Sequence, residues 1–296
     1  MSDAGTVTPV TSGLLRGWPL PAAGGDKESR GRTLVIGGSA QTPGAVVLAA
    51  EAALRTGAGK LQVATVSSVS AAMAVAMPET LVRGLPQTPS GDIDASCADE
   101  LAEMAQQCSA VLLGPGIMDV DAAIALAEAL VPLLGTTLVL DALALAWLGQ
   151  RRVDGLHHLD GRAVLTPNPK ELALTLGVDV DEVDADPAAA SLELARRTHA
   201  VVSCGGSLSH VAAPDGRLWS DDAGGSGLGV AGSGDVQAGI VTGLAARGAD
   251  VAQAAVWAAH VHGRAGDRMT TDVGRLGFLA RELPACIPRV LSEIEA

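Results

Sequence analysis

Gly227-Leu228-Gly229-Val230-Ala231-Gly232-Ser233-Gly234-Asp235 is the stretch on which the fold turns. Gly227, Gly229 and Gly232 fit the G-x-G-x-x-G dinucleotide fingerprint, which requires a strand immediately before it. Here the preceding residues, 220–226, read Ser-Asp-Asp-Ala-Gly-Gly-Ser, a polar loop. The fingerprint reading therefore fails its context. Beyond Asp235 the chain turns apolar: Val236, Ala238, Gly239, Ile240, Val241 and Leu244. That is a glycine loop feeding a helix N-terminus. Unpaired N–H groups and the helix dipole make such an end an anion site. An acid beside the bound phosphate can deprotonate an attacking hydroxyl, so the stretch points to phosphoryl transfer. A ligand-free glycine turn is the bland alternative.

Upstream, apolar runs and helical patterns alternate. Strands are expected at 33–36, 61–66, 81–85, 110–113, 137–140, 162–165 and 200–203. Helices are expected at 43–56, 67–77, 97–107, 120–133, 169–176 and 187–198. Residues 209–219 read as a hairpin around Pro214-Asp215-Gly216. From Asp235 the chain is expected to be helical, at 235–247, 250–268 and 274–293. Residues 1–30 are polar or Pro/Gly-rich and are expected to lie over the surface. The alternation predicts an α/β fold, a mostly parallel sheet with helices on both faces. We divide it into an N-terminal extension, 1–26, and one domain, 27–296. Gly37-Gly38-Ser39, Gly114-Pro115-Gly116, Asp141, Asn168 and Cys204-Gly205-Gly206 all come after strands. Ligands of open α/β sheets bind at such ends, so these loops are expected to line one cleft.

The bulk numbers narrow the function. A net charge of −13 opposes a nucleic-acid surface. With no Tyr, one Phe and four Trp, a base-stacking platform is not expected. The four cysteines (97, 108, 204 and 286) form no C-x-x-C pair and suit no zinc site, which points to buried thiols in a reducing, cytoplasmic setting. Residues 1–21 lack a signal-peptide pattern, and no run approaches a membrane span. The alanine-rich helices are compatible with a homo-oligomer. His157-His158 and Asp221-Asp222 read as solvated, Trp147 and Trp257 as core, and Cys204 as a buried thiol. His260 and His262, two apart on a helix, point in different directions. His262 either lines the cleft or packs.

An ordered set of motifs then carries a resemblance. It comprises Lys27-Glu28-Ser29-Arg30-Gly31, Leu34 to Ser39, Gly44-Ala45, Arg55 to Gly59, Leu113 to Gly116 and Leu140-Asp141-Ala142. Leu165 to Glu171, Gly232 to Asp235 and His262-Gly263-Arg264-Ala265-Gly266 complete it. With these the chain resembles the ADP-dependent NAD(P)H-hydrate dehydratases, lyases with a ribokinase-like fold. The resemblance implies repair of NADH or NADPH hydrated on the nicotinamide ring. ADP would phosphorylate the ring hydroxyl, and loss of phosphate would restore the double bond, leaving AMP and phosphate. Hydroxide is a poor leaving group and phosphate a good one.

By the same resemblance Asp235 is the catalytic base and contacts the hydrated nucleotide. The plain alternative for it is a helix cap. Ala45, Gly116 and Asn168 fall where the family contacts that substrate. Cys204, Gly205, Gly206, Ser207 and Leu208 fall where it holds the adenine nucleotide. Gly232, Ser233 and Gly234 would hold the transferring phosphate through backbone N–H groups. Three positions depart from the family: Asn168 stands for a usual His, Lys170 for Gly, and Cys204 for a common Lys. Asn168-x-x-Glu171 instead resembles the N-x-x-E motif of ribokinase-like vitamin and sugar kinases, in which the acid holds Mg²⁺ through water. The expected cofactors are therefore ADP and Mg²⁺, with a separate epimerase in the same pathway. A small-molecule ATP-dependent kinase and a non-catalytic nucleotide sensor stand as the alternatives.

Overall fold

The computed structural model describes residues 7–22, 25–149 and 154–296. The chain runs β1 (Val7–Pro9), α1 (Ser12–Arg16), β2 (Arg32–Ile36), α2 (Gly44–Arg55), β3 (Lys60–Val66), α3 (Ser67–Ala76) and β4 (Leu81–Leu85). Next come α4 (Ala98–Ala105), β5 (Ala110–Leu113), α5 (Val120–Leu130), β6 (Thr137–Leu140), β7 (Ala163–Leu165), α6 (Pro169–Leu176) and α7 (Val180–Ala185). It ends with α8 (Pro187–Thr198), β8 (Val201–Cys204), β9 (Ser209–Ala212), β10 (Leu218–Asp221), α9 (Ser233–Ala246), α10 (Val251–Asp272) and α11 (Ile287–Glu295).

All ten strands join one sheet in the order β1-β10-β9-β8-β7-β6-β5-β2-β3-β4. Among the described residues only strand β9 pairs antiparallel, with β8 on one side and β10 on the other. The central strands are short and almost wholly apolar because both their faces are covered. Val35, Leu112, Val139 and Val164 point to one core, shared with Ala49 of α2, Val236 and Ile240 of α9, Trp257 of α10 and Ile287 of α11. Their neighbours Leu34, Ile36, Leu113, Leu138 and Leu140 point to the other, with Leu101 of α4, Leu126 of α5, Leu172 of α6, Val183 of α7 and Leu194 of α8. The period-two alternation of a strand sorts one apolar run into two cores.

The strand order also fixes the cleft. β2, β3 and β4 run outward on one side, and β5 returns to the other side of β2. The loops after β2 and β5 therefore diverge, the point at which open α/β sheets bind ligands.

Three expectations are amended. Residues 7–22, expected over the surface, supply β1, which runs parallel to β10, and α1, whose Leu15 is buried. Trp18 stacks on Trp219 at 5.9 Å, and its carbonyl accepts from Trp257 Nε1 at 3.0 Å. Residues 1–6 and 23–24 of that N-terminal segment lie outside the described residues. The 274–293 segment is not one helix. Gly274 (φ 149°) and Gly277 (φ 99°) take positive φ, two 3₁₀ turns come next at Ala280–Glu282 and Pro284–Cys286, and only then does α11 begin. Glycine at positive φ and two prolines defeat the apolar periodicity there. Asp221, expected in solvent, ends β10 at 3% exposure. His157 and His158 are exposed, as expected, with His158 Nε2 3.1 Å from the Val131 carbonyl oxygen and His157 stacked on His199. Trp147, Trp257 and all four cysteines are buried, as expected.

Candidate active site

The adjacent strands β2, β5, β6, β7 and β8 are followed directly by Gly37, Gly114, Asp141, Thr166 and Gly205. The glycines let these loops close on one another. A Cβ on Gly37 would lie 2.2 Å from the Pro115 carbonyl oxygen, and one on Gly114 (φ 130°) would lie 1.9 Å from that of Asp141. Gly38 N–H donates to the Pro115 carbonyl at 2.7 Å. Thr42 Oγ1 donates to the Gly116 carbonyl at 2.7 Å and sits 2.9 Å from Ser39 Oγ. Gly116 (φ 72°) thereby comes against the start of α2, where a Cβ would meet that of Ala45 at 3.0 Å. Two of the residues expected to touch the hydrated nucleotide are brought together.

α9 opens at the glycine loop expected to hold a phosphate. Gly232 (φ 90°) is its N-cap, and Ser233, Gly234 and Asp235 form its first turn. A Cβ on Gly232 would lie 2.5 Å from Leu48 Cδ1 on α2, so α2 and α9 start side by side. Ser233 N–H donates to the Val230 carbonyl at 3.1 Å. That group closes a turn, so it is not free for the phosphate contact expected of it. Asp235 is the third residue of the helix rather than its cap, so capping does not explain it.

Three carboxyls converge below this turn. Burial, then the charge of Glu171, pushes the Asp235 carboxyl up to about 6. Burial, then the charge of Asp235, pushes Asp141 up to about 8, although Thr166 Oγ1 donates to its Oδ1 at 2.7 Å. Both carboxyls are held above the ordinary carboxylate range, the more deeply buried Asp141 more strongly than Asp235. Burial also raises Glu171. Asp141, which the sequence reading placed among the strand-end loops of the cleft without giving it a role, lies in this cluster. Its signal was an acid placed directly after a buried apolar strand.

Asn168 and Glu171 form a reciprocal capping box on α6. Asn168 N–H donates to Glu171 Oε2 at 2.9 Å, and Glu171 N–H donates to Asn168 Oδ1 at 3.0 Å. The N-x-x-E spacing is thus accounted for as helix capping. Asn168→Ala should lower stability by about 1 kcal/mol, seen as a lower denaturation midpoint. An unchanged midpoint would show that the box contributes nothing. Lys170 is exposed beside it.

The other sequence-predicted residues lie one strand further on. Cys204 is buried at the end of β8, and burial pushes its thiol up to about 12, so it is no nucleophile. Gly205 N–H donates to the Pro167 carbonyl at 3.4 Å. Gly206, Ser207 and Leu208 are exposed at the cleft mouth. Gln237 of α9 ties this end together by donating from Nε2 to Ser203 Oγ at 3.3 Å. Among the described residues no group of three His, Cys, Asp or Glu side chains is placed to ligate a metal directly. Nor is any helix long and apolar enough to cross a membrane.

Known proteins share both the sequence and the fold. Residues 33–289 match the family described as NAD(P)H-hydrate dehydratase. The chain is 46% identical over 289 residues to the ADP-dependent (S)-NAD(P)H-hydrate dehydratase of Xanthomonas campestris, covering 97% of each. It superposes with a TM-score of 0.82 and 27% identity on the ADP/ATP-dependent NAD(P)H-hydrate dehydratase of Bacillus subtilis co-crystallized with ATP/Mg²⁺, covering 98% of this chain and 99% of that one. A ribokinase-like superfamily protein from Enterococcus faecalis shares the fold at a TM-score of 0.81 and 18% identity, covering 98% of this chain and 97% of its own.

Proposed function

Because the chain belongs to the NAD(P)H-hydrate dehydratase family, we propose that it is an ADP-dependent lyase that regenerates NADH and NADPH from their hydrates. The observation that carries the reading is Asp235, half-buried in the first turn of α9 beside the Gly232–Gly234 loop. Ala45 and Gly116 form the small-residue wall against which the hydrated nicotinamide rests, with Asn168 at its exposed rim. Cys204 to Leu208 hold the adenine nucleotide. Asp235, as carboxylate, takes the proton of the ring hydroxyl, and that oxygen attacks the terminal phosphorus of ADP while AMP leaves. The Ser233 hydroxyl and the unpaired amides of the first turn of α9 face the charge that develops on the phosphoryl oxygens. Phosphate then leaves that carbon with the C–O electron pair, and loss of a proton from the neighbouring ring carbon restores the double bond.

Mg²⁺ fits this site as a phosphate-bound ion. The charge of Glu171 raises Asp235, and the charges of Asp235 and Glu171 raise Asp141, so a cation here would relieve the crowding. Glu171 would reach it through water, since one of its oxygens is committed to the Asn168 cap. When bound, the ion supplies charge neutralisation on the phosphates. The four buried cysteines support a reducing, cytoplasmic setting. A separate epimerase acting on the same hydrates is the partner this reading expects, and a homo-oligomer remains part of it.

The test is the reduced-nicotinamide absorbance of hydrated NADH mixed with protein, Mg²⁺ and either ADP or ATP. A rise with ADP supports the reading. A rise only with ATP corrects the donor, and a stable phosphorylated product would favour the small-molecule kinase. ADP binding with no turnover of any substrate would favour the sensor. The pH profile adds a second check. With the Asp235 carboxyl at about 6, kcat/KM should be flat above that value and fall about tenfold per pH unit below it, because only the carboxylate accepts the proton. A profile unchanged down to pH of about 4, the ordinary carboxylate range, would remove Asp235 from the base role.

A further inference from the structure

The motif His262-Gly263-Arg264-Ala265-Gly266 lies on α10, apart from the strand-end loops of the cleft, yet the phosphate loop is seated on it. The approach to that loop, residues 222–232, crosses the helix at its two glycines. A Cβ on Gly263 would lie 2.5 Å from the Ala223 carbonyl oxygen, and one on Gly266 would lie 2.7 Å from Leu228 Cγ. Gly224 N–H donates to Asp267 Oδ1 at 3.2 Å, one residue beyond the motif. His262 completes the seat: its Nε2 lies 2.9 Å from Ser233 Oγ, with both side chains buried. Behind it, His260 Nδ1 lies 3.1 Å from Asp221 Oδ1, and that same oxygen accepts from Ala223 N–H at 3.1 Å. The whole approach is therefore pinned to one helix.

Building on the dehydratase reading, we propose that His262 is a positioning residue whose Nε2–H donates to Ser233 Oγ, so that the Ser233 hydroxyl donates its own hydrogen to the terminal phosphate of bound ADP. Ser233 has no backbone N–H to offer, since that group is spent on Val230. A serine hydroxyl has one hydrogen and two lone pairs. Were Nε2 the acceptor, Ser233 would turn only lone pairs toward a phosphate oxygen, which repels them. With Nε2–H donating, one lone pair is satisfied and the hydrogen is free for the phosphate. Burial pushes His262 down to about 4, so the imidazole is neutral at working pH and holds one N–H to place.

The experiment compares the wild type with Ser233→Ala, His262→Leu, the double variant and His262→Gln. Each is assayed for kcat with ADP and for ADP and AMP affinity by calorimetry, with a melting curve for folding. A hydrogen bond to a charged acceptor is worth roughly tenfold in binding, so ADP affinity should fall about that much in Ser233→Ala and in His262→Leu. AMP, which lacks the terminal phosphate, should bind all of them alike. The double variant should be no worse than either single one. His262→Gln, whose amide can place a donor near the Nε2 position, should recover most of the loss. If His262→Leu lowers only the melting point, if AMP affinity falls with ADP affinity, or if the two losses multiply, the proposal is overturned. Failure of the dehydratase reading looks different: a folded wild type that turns over no hydrated NADH. The ADP-to-AMP affinity ratio still decides the role of His262 in that case.

Discussion

Asp235→Asn should lower turnover by about 10²–10⁴-fold, the usual contribution of a positioned acid or base, while ADP still binds. Asparagine keeps the size of the side chain and removes its ability to accept a proton. The position makes the result informative. Asp235 is the third residue of α9 and Gly232 is the cap. If Asp235 served only the helix dipole, its replacement would cost about 0.3–1 kcal/mol of stability and leave the chemistry alone. Turnover of hydrated NADH, ADP calorimetry and a melting curve on one preparation separate the two roles. Near wild-type turnover would remove Asp235 from the mechanism. A collapse of ADP affinity together with turnover would make it a binding group instead.

Much of this site was legible in the sequence because its parts are local. A parallel strand buried on both faces reads as an unbroken apolar run, and a glycine directly after it marks a tight strand end. Leu34 to Gly38 and Val111 to Gly116 show both features. Asn168-x-x-Glu171 was visible as a spacing, and only the coordinates show its two reciprocal hydrogen bonds. The hidden parts depend on contacts between distant segments. Asp141 reads as a strand end, but its coupling to Asp235 requires β6 and α9 to meet. His262 is 29 residues from Ser233, and a histidine in an alanine-rich helix does not announce its partner. Val7–Pro9 is too short to read as a strand, and it forms because β10 offers an edge. The segment after α10 misled for the opposite reason: its periodicity is helical, but Gly274 and Gly277 take backbone angles that no helix contains.

Gly239→Ala should destabilise the chain and reduce turnover by about 10²-fold, although Gly239 lies mid-helix and the change favours helix formation. Helix propensity alone predicts a gain of up to about 1 kcal/mol for removing a mid-helix glycine. Packing opposes it. α9 crosses α2 at Gly239 and Gly243, where a Cβ on Gly239 would lie 2.1 Å from the Ala49 carbonyl oxygen. One on Gly243 would lie 2.1 Å from Thr56 Oγ1 and 2.5 Å from the Ala53 carbonyl oxygen. Backbone cannot swing aside as a side chain does, so the helices must separate. Overpacking of this kind costs about 1–3 kcal/mol, enough to outweigh the propensity gain. The separation also reaches the chemistry, because α2 begins at Gly44-Ala45 and α9 begins with Ser233 to Asp235. A misplacement of about 1 Å between substrate wall and base is worth about 10²-fold in rate. Gly44→Ala is the control for stability: it sits in the first turn of α2, its φ is not positive, and nothing lies within 4 Å of the added carbon. It should be neutral or mildly stabilising. If Gly239→Ala melts no lower than Gly44→Ala, the two helices are not pressed together. If it melts lower but turns over normally, their spacing does not set the distance between Ala45 and Asp235.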